Sequence, residues 1–261
     1  MLKTTYSKFS SFLTELGVAP DDLLMVHSFL PSLGQLEDGL PGIYRALRDR
    51  LGTKGTLVVP TFTYSFCKGE EFDHRHTPSV AGTFTEFVRC QEAVVRSADP
   101  IFSIAAVGNL AYEVTKIREQ TCFGPGSVFE LLEQVGVKFL LLGTDYQKSL
   151  TYFIHLERLF GVPYREEKLF SGSMVTTEGT RKAATFSYYV RTERSGCRMD
   201  YNRLGCEFDE TSGCRLLRFA YGLHRLINGT ELTRYSIARL RQDAYCLTRA
   251  EGKEPESEPK G

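Results

Sequence analysis

The spacing of apolar and polar positions divides residues 1–160 into alternating helices and short buried strands. Residues 6–16 repeat apolar positions with a helical period, whereas residues 56–61 form a continuous apolar run that Pro60 restricts near its end. The same criteria predict strands at 23–27, 56–61, 104–107 and 138–142, and helices at 6–16, 42–51, 83–90, 110–118, 128–134 and 151–160. Short apolar strands separated by helices predict an α/β fold whose sheet is covered on both faces.

The pattern changes after residue 171. Residues 172–190 are rich in turn residues and alternate in polarity, which predicts a β-hairpin. Residues 237–247 have the pattern of a closing helix. The segment 249–261 is rich in Glu, Lys and Pro, a composition typical of a disordered tail.

Composition and charge exclude several classes of protein. The 32 basic and 32 acidic residues give a formal net charge of zero, so no field of one sign favours nucleic acid or a membrane surface. The first residues carry charges and do not form a signal peptide, and no apolar run is long enough to span a membrane. Seven scattered cysteines without a CxxC pair indicate reduced thiols and predict a cytoplasmic protein.

Polar side chains gather where the predicted strands end, which is where ligands of open α/β sheets bind. His27 and Ser28 end the first strand and lead into a loop with three glycines, whose N–H groups could hold a phosphate. The chain has no GxGxxG after that strand, no GxxxxGK[ST] and no GxSxG, so neither a nucleotide-binding motif nor a hydrolase elbow is supported. Asp73, His74 and His76 have a weak metal-ligand spacing, which a solvated loop explains better.

The segment 150–165 (LTYFIHLERLFGVPYR) places His155 and Glu157 in apolar surroundings. Burying either group without a partner costs several kcal/mol, so each must be paired. A histidine held by an acid is the commonest general base near neutral pH, although a satisfied core histidine beside a surface glutamate gives the same pattern.

Many of these segments together resemble the aminoglycoside 3-N-acetyltransferase family, particularly its shorter members. The matching segments occur in family order over most of residues 20–170, and the last 90 residues match only loosely. They are VHS (26–28), LG (33–34), GTLVVPTFT (55–63), YSFC (64–67), FD (72–73), TPS (77–79), Gly82, RS (96–97), Pro100, SIAAVG (103–108), CFG (122–124), Ser127, LG (142–143) and the His155/Glu157 segment with VPYR (162–165).

The resemblance implies a fold, a cofactor and a set of contact residues. It implies one acetyltransferase domain over residues 1–248, built as a three-layer α/β/α sandwich without a metal, with the hairpin as a small addition in the C-terminal third. It also implies acetyl-coenzyme A as co-substrate. By position, the residues that face the coenzyme would be His27, Ser28, Leu33, Gly34, Arg96, Ser97 and Ser103. An arginine fork and backbone donors suit the coenzyme's phosphates.

The implied reaction is direct acetyl transfer to a primary amine. A sugar ammonium must lose a proton before it attacks a thioester, and His155 is the predicted general base. Glu157, or Asp145 upstream of the same helix, would orient the imidazole and stabilise its cation. The family usually spaces this His and Glu three residues apart, whereas here they are two apart and would point about 200° from each other on a regular helix. A second departure is Asp99 before Pro100, where the family often has histidine.

The acceptor is less constrained than the reaction. Four acidic residues of the variable half, Asp200, Glu207, Asp209 and Glu210, are interspersed with Arg191, Arg194, Arg198 and Arg203. This mixture suits an amino sugar or another biosynthetic amine better than an antibiotic polycation. Two alternatives stay open: a catalytically degenerate member that only binds coenzyme A, and an acyltransferase or hydrolase acting on another amine or thioester. We expect the partner to be a small-molecule amine and expect binding to neither nucleic acid nor a membrane. We also expect a homodimer.

Overall fold

The computed structural model describes residues 2–192 and 196–250. The strands in these residues are β1 (Lys3–Thr4), β2 (Leu23–Ser28), β3 (Gln35–Leu36), β4 (Thr56–Pro60), β5 (Phe72–Asp73), β6 (Val95–Arg96), β7 (Ile104–Gly108), β8 (Lys138–Leu142), β9 (Arg165–Val175), β10 (Arg181–Arg191), β11 (Cys197–Met199), β12 (Cys214–Phe219), β13 (Gly222–Asn228) and β14 (Thr248–Ala250). The helices are α1 (Tyr6–Leu16), α2 (Gly39–Leu51), α3 (Thr83–Arg89), α4 (Ala111–Thr115), α5 (Val128–Val135), α6 (Tyr146–Ser149), α7 (Tyr152–Phe160), α8 (Tyr201–Asp209) and α9 (Gly229–Gln242), with short 3₁₀ turns at Leu30–Leu33 and Ser65–Lys68.

A seven-stranded mixed sheet forms the centre of the molecule, in the order β12-β13-β8-β2-β4-β7-β6. Strands β8, β2 and β4 run parallel, while β13 and β7 run antiparallel to their neighbours on either side. The carboxyl ends of the three central strands therefore meet at one edge of the sheet, where ligands of such sheets bind.

The sheet is buried on both faces because successive side chains of its strands point to opposite sides. Met25 and Leu141 belong to one hydrophobic cluster, under α4, α5, α7, α8 and α9. Val26 and Leu140 belong to a second cluster, under α1, α2 and α3. Full burial of each such side chain stabilises the fold by about 1.5–3 kcal/mol. The predicted three-layer α/β/α sandwich is confirmed.

Local sequence signals set most element boundaries. Helix α1 has the predicted bounds: the Thr5 side chain accepts a hydrogen bond from the Lys8 N–H, and Gly17 ends the helix in the left-handed conformation (φ 97°). The hairpin of β9 and β10 is also confirmed, although its strands extend further than predicted. Strand β5 adds to it as a third strand.

The predictions near the C-terminus need two corrections. The closing helix does not span 237–247 but begins at Gly229, because the Asn228 side chain accepts a hydrogen bond from Glu231 N–H and caps it there. Arg249 and Ala250 are not part of a disordered tail, since β14 pairs with β11. The rest of the predicted tail, residues 251–261, lies outside the described residues.

Candidate active site

A cavity of about 550 Å³ opens at the carboxyl ends of β2, β4 and β8. This is the position at which an open α/β sheet binds its ligand. The residues that line it are His27, Ser28, Phe29, Pro60, Phe62, Tyr64, Val80, Ala81, Thr85, Gly143, Thr144, Lys148, Ser149 and Thr151. Its wall therefore combines aromatic rings with hydroxyl groups, one imidazole and one ammonium.

His27 is the most deeply buried ionisable group in that wall. Its side chain lies at the end of β2 with only 5% of the residue exposed, and its Nε2 has no hydrogen-bond partner among the described residues. Burial lowers the pKa of the imidazole to about 4. His27 is therefore neutral at pH 7, because a charged ring would have to be desolvated without a partner.

Aromatic side chains form the rim of the cavity. Tyr64 has φ 57° and ψ −11°, a left-handed conformation that a bulky residue rarely adopts. Its ring packs edge-on against Phe102 at 5.5 Å between centroids, while 42% of the residue stays exposed. Burial of the hydroxyl raises its pKa to about 12, so the phenol keeps its proton and can donate. Phe29, on the rim after β2, is 56% exposed.

Lys148 supplies the positive charge of the cavity wall, and its ammonium group pairs with the Asp145 carboxylate. The Asp145 carboxylate accepts a hydrogen bond from the Lys148 N–H at 2.8 Å, which caps α6, and lies 3.1 Å from Lys148 Nζ. The prediction that Asp145 orients His155 is therefore not supported by the geometry. Asp145 instead fixes the turn that carries Lys148 and Ser149 to the cavity.

His155 lies in the core and not in the cavity wall. The residue is fully buried; the Gly124 N–H donates to its Nδ1 at 3.1 Å, and its Nε2 is 3.0 Å from the Glu133 carboxylate of α5. Since the Gly124 N–H donates to Nδ1, the proton of the neutral ring is on Nε2. Both ring nitrogens are occupied, so in this conformation the predicted general base has no contact with a substrate in the cavity. Glu133 is on another helix, and no local sequence signal identifies it as the partner.

Glu157 is paired, but not with His155. Its carboxylate accepts hydrogen bonds from Tyr164 at 2.9 Å and Tyr201 at 3.1 Å, and Arg165 Nε lies 2.7 Å away. The side chains of Glu157 and Arg165 are 0% and 5% exposed. Glu157 therefore does not orient His155, because residues two apart on a helix point in different directions. Glu157 instead holds the start of β9 against α7 and α8.

Arg96, Ser97 and Ser103 form a frame behind the cavity. The Arg96 guanidinium donates to the carbonyls of Thr61 at 2.9 Å and Thr77 at 2.6 Å and to the Ser103 hydroxyl at 3.1 Å. Ser103 donates to the same Thr61 carbonyl, and Ser97 accepts from the Ile104 N–H. All three are buried and none lines the cavity, so their predicted contacts with the coenzyme stay predictions. A guanidinium occupied by carbonyls is not a free fork for a phosphate.

Leu33 and Gly34 also have structural positions. Leu33 is fully buried in the cluster under α1. Gly34 has φ +74°, and a Cβ there would lie 2.5 Å from the Leu2 carbonyl, so the residue serves the close contact between the loop and the N-terminus. Of the seven predicted coenzyme contacts, only His27 and Ser28 line the cavity.

Several cavity residues lie outside the set predicted from the sequence. Thr144 and Thr151 follow β8, and Thr85 lies on α3. The position of Thr144 just after a parallel strand was an available signal, whereas Thr85 reaches the cavity only through tertiary packing. In the histidine loop, His74 Nε2 is 2.8 Å from the Arg96 carbonyl and His76 pairs with Asp73. The described residues contain no group of three or more His, Cys, Asp or Glu side chains placed to hold a metal ion.

Comparison with known proteins gives one consistent set of relatives. The family described as "Aminoglycoside 3-N-acetyltransferase" matches residues 25–241. Aminoglycoside N(3)-acetyltransferase III from Salmonella sp is 31% identical over 204 residues, 71% of each chain, and Aminoglycoside N(3)-acetyltransferase IV from Salmonella sp is 34% identical over 64% of this chain and 65% of its own. The solved structure described as "AAC-IIIb binary with CoASH" superposes with a TM-score of 0.81 at 22% identity, covering 97% of this chain and 100% of that one. Among the described residues, no helix is long and apolar enough to cross a membrane.

Proposed function

Because the chain belongs to the aminoglycoside 3-N-acetyltransferase family, we propose that it transfers an acetyl group from acetyl-coenzyme A to a primary amine of an amino sugar or aminoglycoside-like acceptor. The single observation that carries this proposal is the cavity at the carboxyl ends of β2, β4 and β8. The solved neighbour of the same fold was obtained with CoASH, which supports coenzyme A as the ligand here.

The cavity wall has the chemistry that the coenzyme requires. A pantetheine arm is a narrow chain with amide groups, and Ser28, Thr85 and Thr144 offer hydroxyls to those amides. Lys148 is exposed at the cavity and suits the negatively charged phosphates. We infer that the coenzyme enters past Lys148 with its thioester toward His27. We also propose that the protein acts in the cytoplasm.

The reaction we propose is direct transfer. The lone pair of the acceptor nitrogen attacks the thioester carbonyl, the C–N bond forms, and the tetrahedral oxyanion then expels the coenzyme thiolate. A proton from the nitrogen ends on the sulfur, so the products are an amide and a free thiol. No covalent enzyme intermediate is required, and no cysteine lines the cavity among the described residues.

The reaction also needs an acceptor for the proton that leaves the amine nitrogen. The predicted role of His155 requires the imidazole to leave both Gly124 and Glu133 and reach the cavity. We propose instead that the acceptor binds as the free amine and that water takes the proton of the tetrahedral intermediate. An amine beside electron-withdrawing substituents, such as the α-amino group with a pKa of roughly 8, keeps a substantial free fraction near pH 7.5. We expect the same of an amine on a sugar ring.

The charge of the cavity limits the acceptor. Lys148 lines it, and no carboxylate does among the described residues. Lys148 is itself paired with Asp145 at 3.1 Å, so a tricationic or tetracationic antibiotic would find no unpaired carboxylate in the lining. Within the proposed class of acceptors we therefore favour an amino sugar with one amine and an otherwise neutral or anionic body. One domain over residues 1–248 and a homodimer both stay predictions.

The test is acetyl transfer by the full chain. Purified protein is incubated with acetyl-coenzyme A and three acceptors: a polycationic aminoglycoside, a neutral mono-amino sugar and a nucleotide-linked amino sugar. Free thiol and acetylated product are quantified together. We expect equimolar thiol and amide with a mono-amino sugar. Thiol release at the same rate without acceptor would identify a hydrolase, and coenzyme binding without release would identify a degenerate member.

A further inference from the structure

Among the described residues that line the cavity, His27 alone has a buried side-chain polar atom without a hydrogen-bond partner. Buried polar atoms almost always have a hydrogen-bond partner, and an exception requires an explanation. Nε2 of His27 is buried without one among the described residues, while the ring lines the cavity. The ring of Phe139 lies 6.5 Å from that of His27 between centroids, and it offers no hydrogen bond to the imidazole edge.

The tautomer of His27 follows from this burial. A neutral imidazole carries one N–H, on either Nδ1 or Nε2. Placing the proton on the buried Nε2 would leave a donor unsatisfied, which is the rarer and costlier arrangement. Nδ1 is not among the buried unpartnered atoms, and no described residue bonds to it. The N–H therefore lies on Nδ1, on the side of the ring that opens to the cavity.

A second feature points at the same place. Helix α7 has nine residues and starts immediately after Thr151, which also lines the cavity. The N-terminal end of a helix carries a partial positive charge. The Phe153 and Ile154 N–H groups of α7 already donate to the carbonyls of Leu150 and Thr151, so this helix end acts through its dipole and not through these two donors. A donor on His27 and this helix end together favour developing negative charge between them.

We propose that the Nδ1–H of His27 donates a hydrogen bond to the carbonyl oxygen of the bound acetyl thioester and stabilises the oxyanion of the transition state. This inference rests on the proposed function, because it needs the thioester in the cavity. When the amine nitrogen attacks, the carbonyl electron pair moves onto oxygen and the hydrogen bond strengthens. When the C–S bond breaks, the pair leaves with sulfur and the carbonyl is restored. His27 keeps its proton throughout.

The same geometry makes His27 a poor general base. Burial holds the pKa of its imidazole near 4, so the ring cannot hold a proton taken from an ammonium group. A neutral imidazole that cannot become charged is, in contrast, a suitable donor to a carbonyl oxygen.

Two substitutions at position 27 test the donor. His27→Leu removes it, and we expect kcat to fall by about 10²–10³, as for loss of one oxyanion donor, with the dissociation constant of coenzyme A changed by less than about threefold. His27→Asn retains an amide donor and should recover part of that loss. The matched control is His224→Asn, since His224 is fully buried outside the cavity and bonded to the Phe219 carbonyl. It should leave kcat within about threefold.

Two further readouts separate this proposal from other roles and from failure of the proposed function. A base would leave an acidic limb in the pH–rate profile that His27→Leu abolishes, and that outcome would overturn the donor role. Infrared spectra of acetyl-coenzyme A labelled with ¹³C at the carbonyl need no acceptor: wild-type protein should lower the carbonyl frequency of the bound ligand, and His27→Leu should not. Binding without such a shift refutes the inference alone. Failure of the ligand to bind wild-type protein refutes the proposed function as well. A shift without transfer to any amine refutes the proposed transfer only.

Discussion

The ion pair between Glu157 and Arg165 gives the sharpest test of the structure. Glu157→Gln keeps the shape of the side chain but removes the charge. Tyr164 and Tyr201 donate to different oxygens of the carboxylate, so the amide, with one acceptor oxygen, keeps only one of these two hydrogen bonds. The Arg165 side chain is 5% exposed, so its cation would stay buried without a counter-charge. Breaking one side of a buried pair costs about 3–5 kcal/mol. The hydrogen bond from Arg165 Nη1 to the Tyr189 carbonyl compensates only part of this, so we expect about 3 kcal/mol for the substitution.

A double-mutant cycle identifies the origin of that loss. Removing both charges, in Glu157→Gln with Arg165→Met, should be less destabilising than Glu157→Gln alone, because no unpaired charge is left. The control is Glu231→Gln, which removes the partner of Arg234 on the surface of α9, where the arginine side chain is 78% exposed. That substitution should change the free energy of unfolding by less than about 0.5 kcal/mol.

The measurement is urea unfolding followed by circular dichroism and by tyrosine fluorescence, since the chain has no tryptophan. Coincident transitions are required before a free energy is extracted. A loss below about 1 kcal/mol for Glu157→Gln, or a double variant as unstable as the single one, would refute the account of a desolvated pair. The pH–rate profile of Glu157→Gln should match wild type; a displaced acidic limb would show that Glu157 acts on the catalytic base after all.

Three other predictions concern separate parts of the molecule. Burial raises the pKa of Asp99 from 3.8 to about 6, so the folded state holds the proton more tightly than the unfolded chain. The free energy of unfolding should therefore fall by about 3 kcal/mol as pH rises from 4 to 6 and stay flat above. Urea titrations at successive pH values should show this slope in the wild-type protein and not in Asp99→Asn. His155→Gln should lower the free energy of unfolding by about 1–3 kcal/mol, because it disturbs buried hydrogen bonds. It should lower kcat less than tenfold. A fall in kcat of about 10²–10⁴ in an intact fold would instead establish His155 as the base. Lys148→Ala should raise the KM for acetyl-coenzyme A by roughly threefold to tenfold at low salt and leave the KM for acetyl-pantetheine unchanged. Equal changes in KM for the two thioesters would place Lys148 away from the phosphates.

The pattern of apolar residues was sufficient for the fold but not for the site. Strand β8 and helix α1 have the predicted bounds because each carries a strong period and local end signals. The start of α9 was misplaced because Asn228 was not recognised as a cap, a contact that involves one side chain and one N–H. Boundaries that depend on a single hydrogen bond are the least visible in a sequence.

Site residues could be predicted only where the backbone alone determines their position. His27 and Ser28 end a central parallel strand, so their place at the sheet edge follows from topology. The partners of His155 and Glu157 come from α5 and from the chain around β9 and α8, at separations that no local pattern encodes. The i, i+2 spacing places the two side chains on different sides of a regular helix, and in the structure His155 and Glu157 have separate partners.

The position of β2 has a consequence for how the chain is made. Strand β2 pairs with β4 on one side and with β8 on the other. During synthesis the ribosome delivers β4 soon after β2, whereas β8 emerges only after residue 137 has been added. At ordinary elongation rates this interval lasts roughly 4–15 s. Throughout it, one edge of a strand whose first four residues are all apolar has no partner, so we expect the nascent N-terminal half to be prone to aggregation until β8 is made.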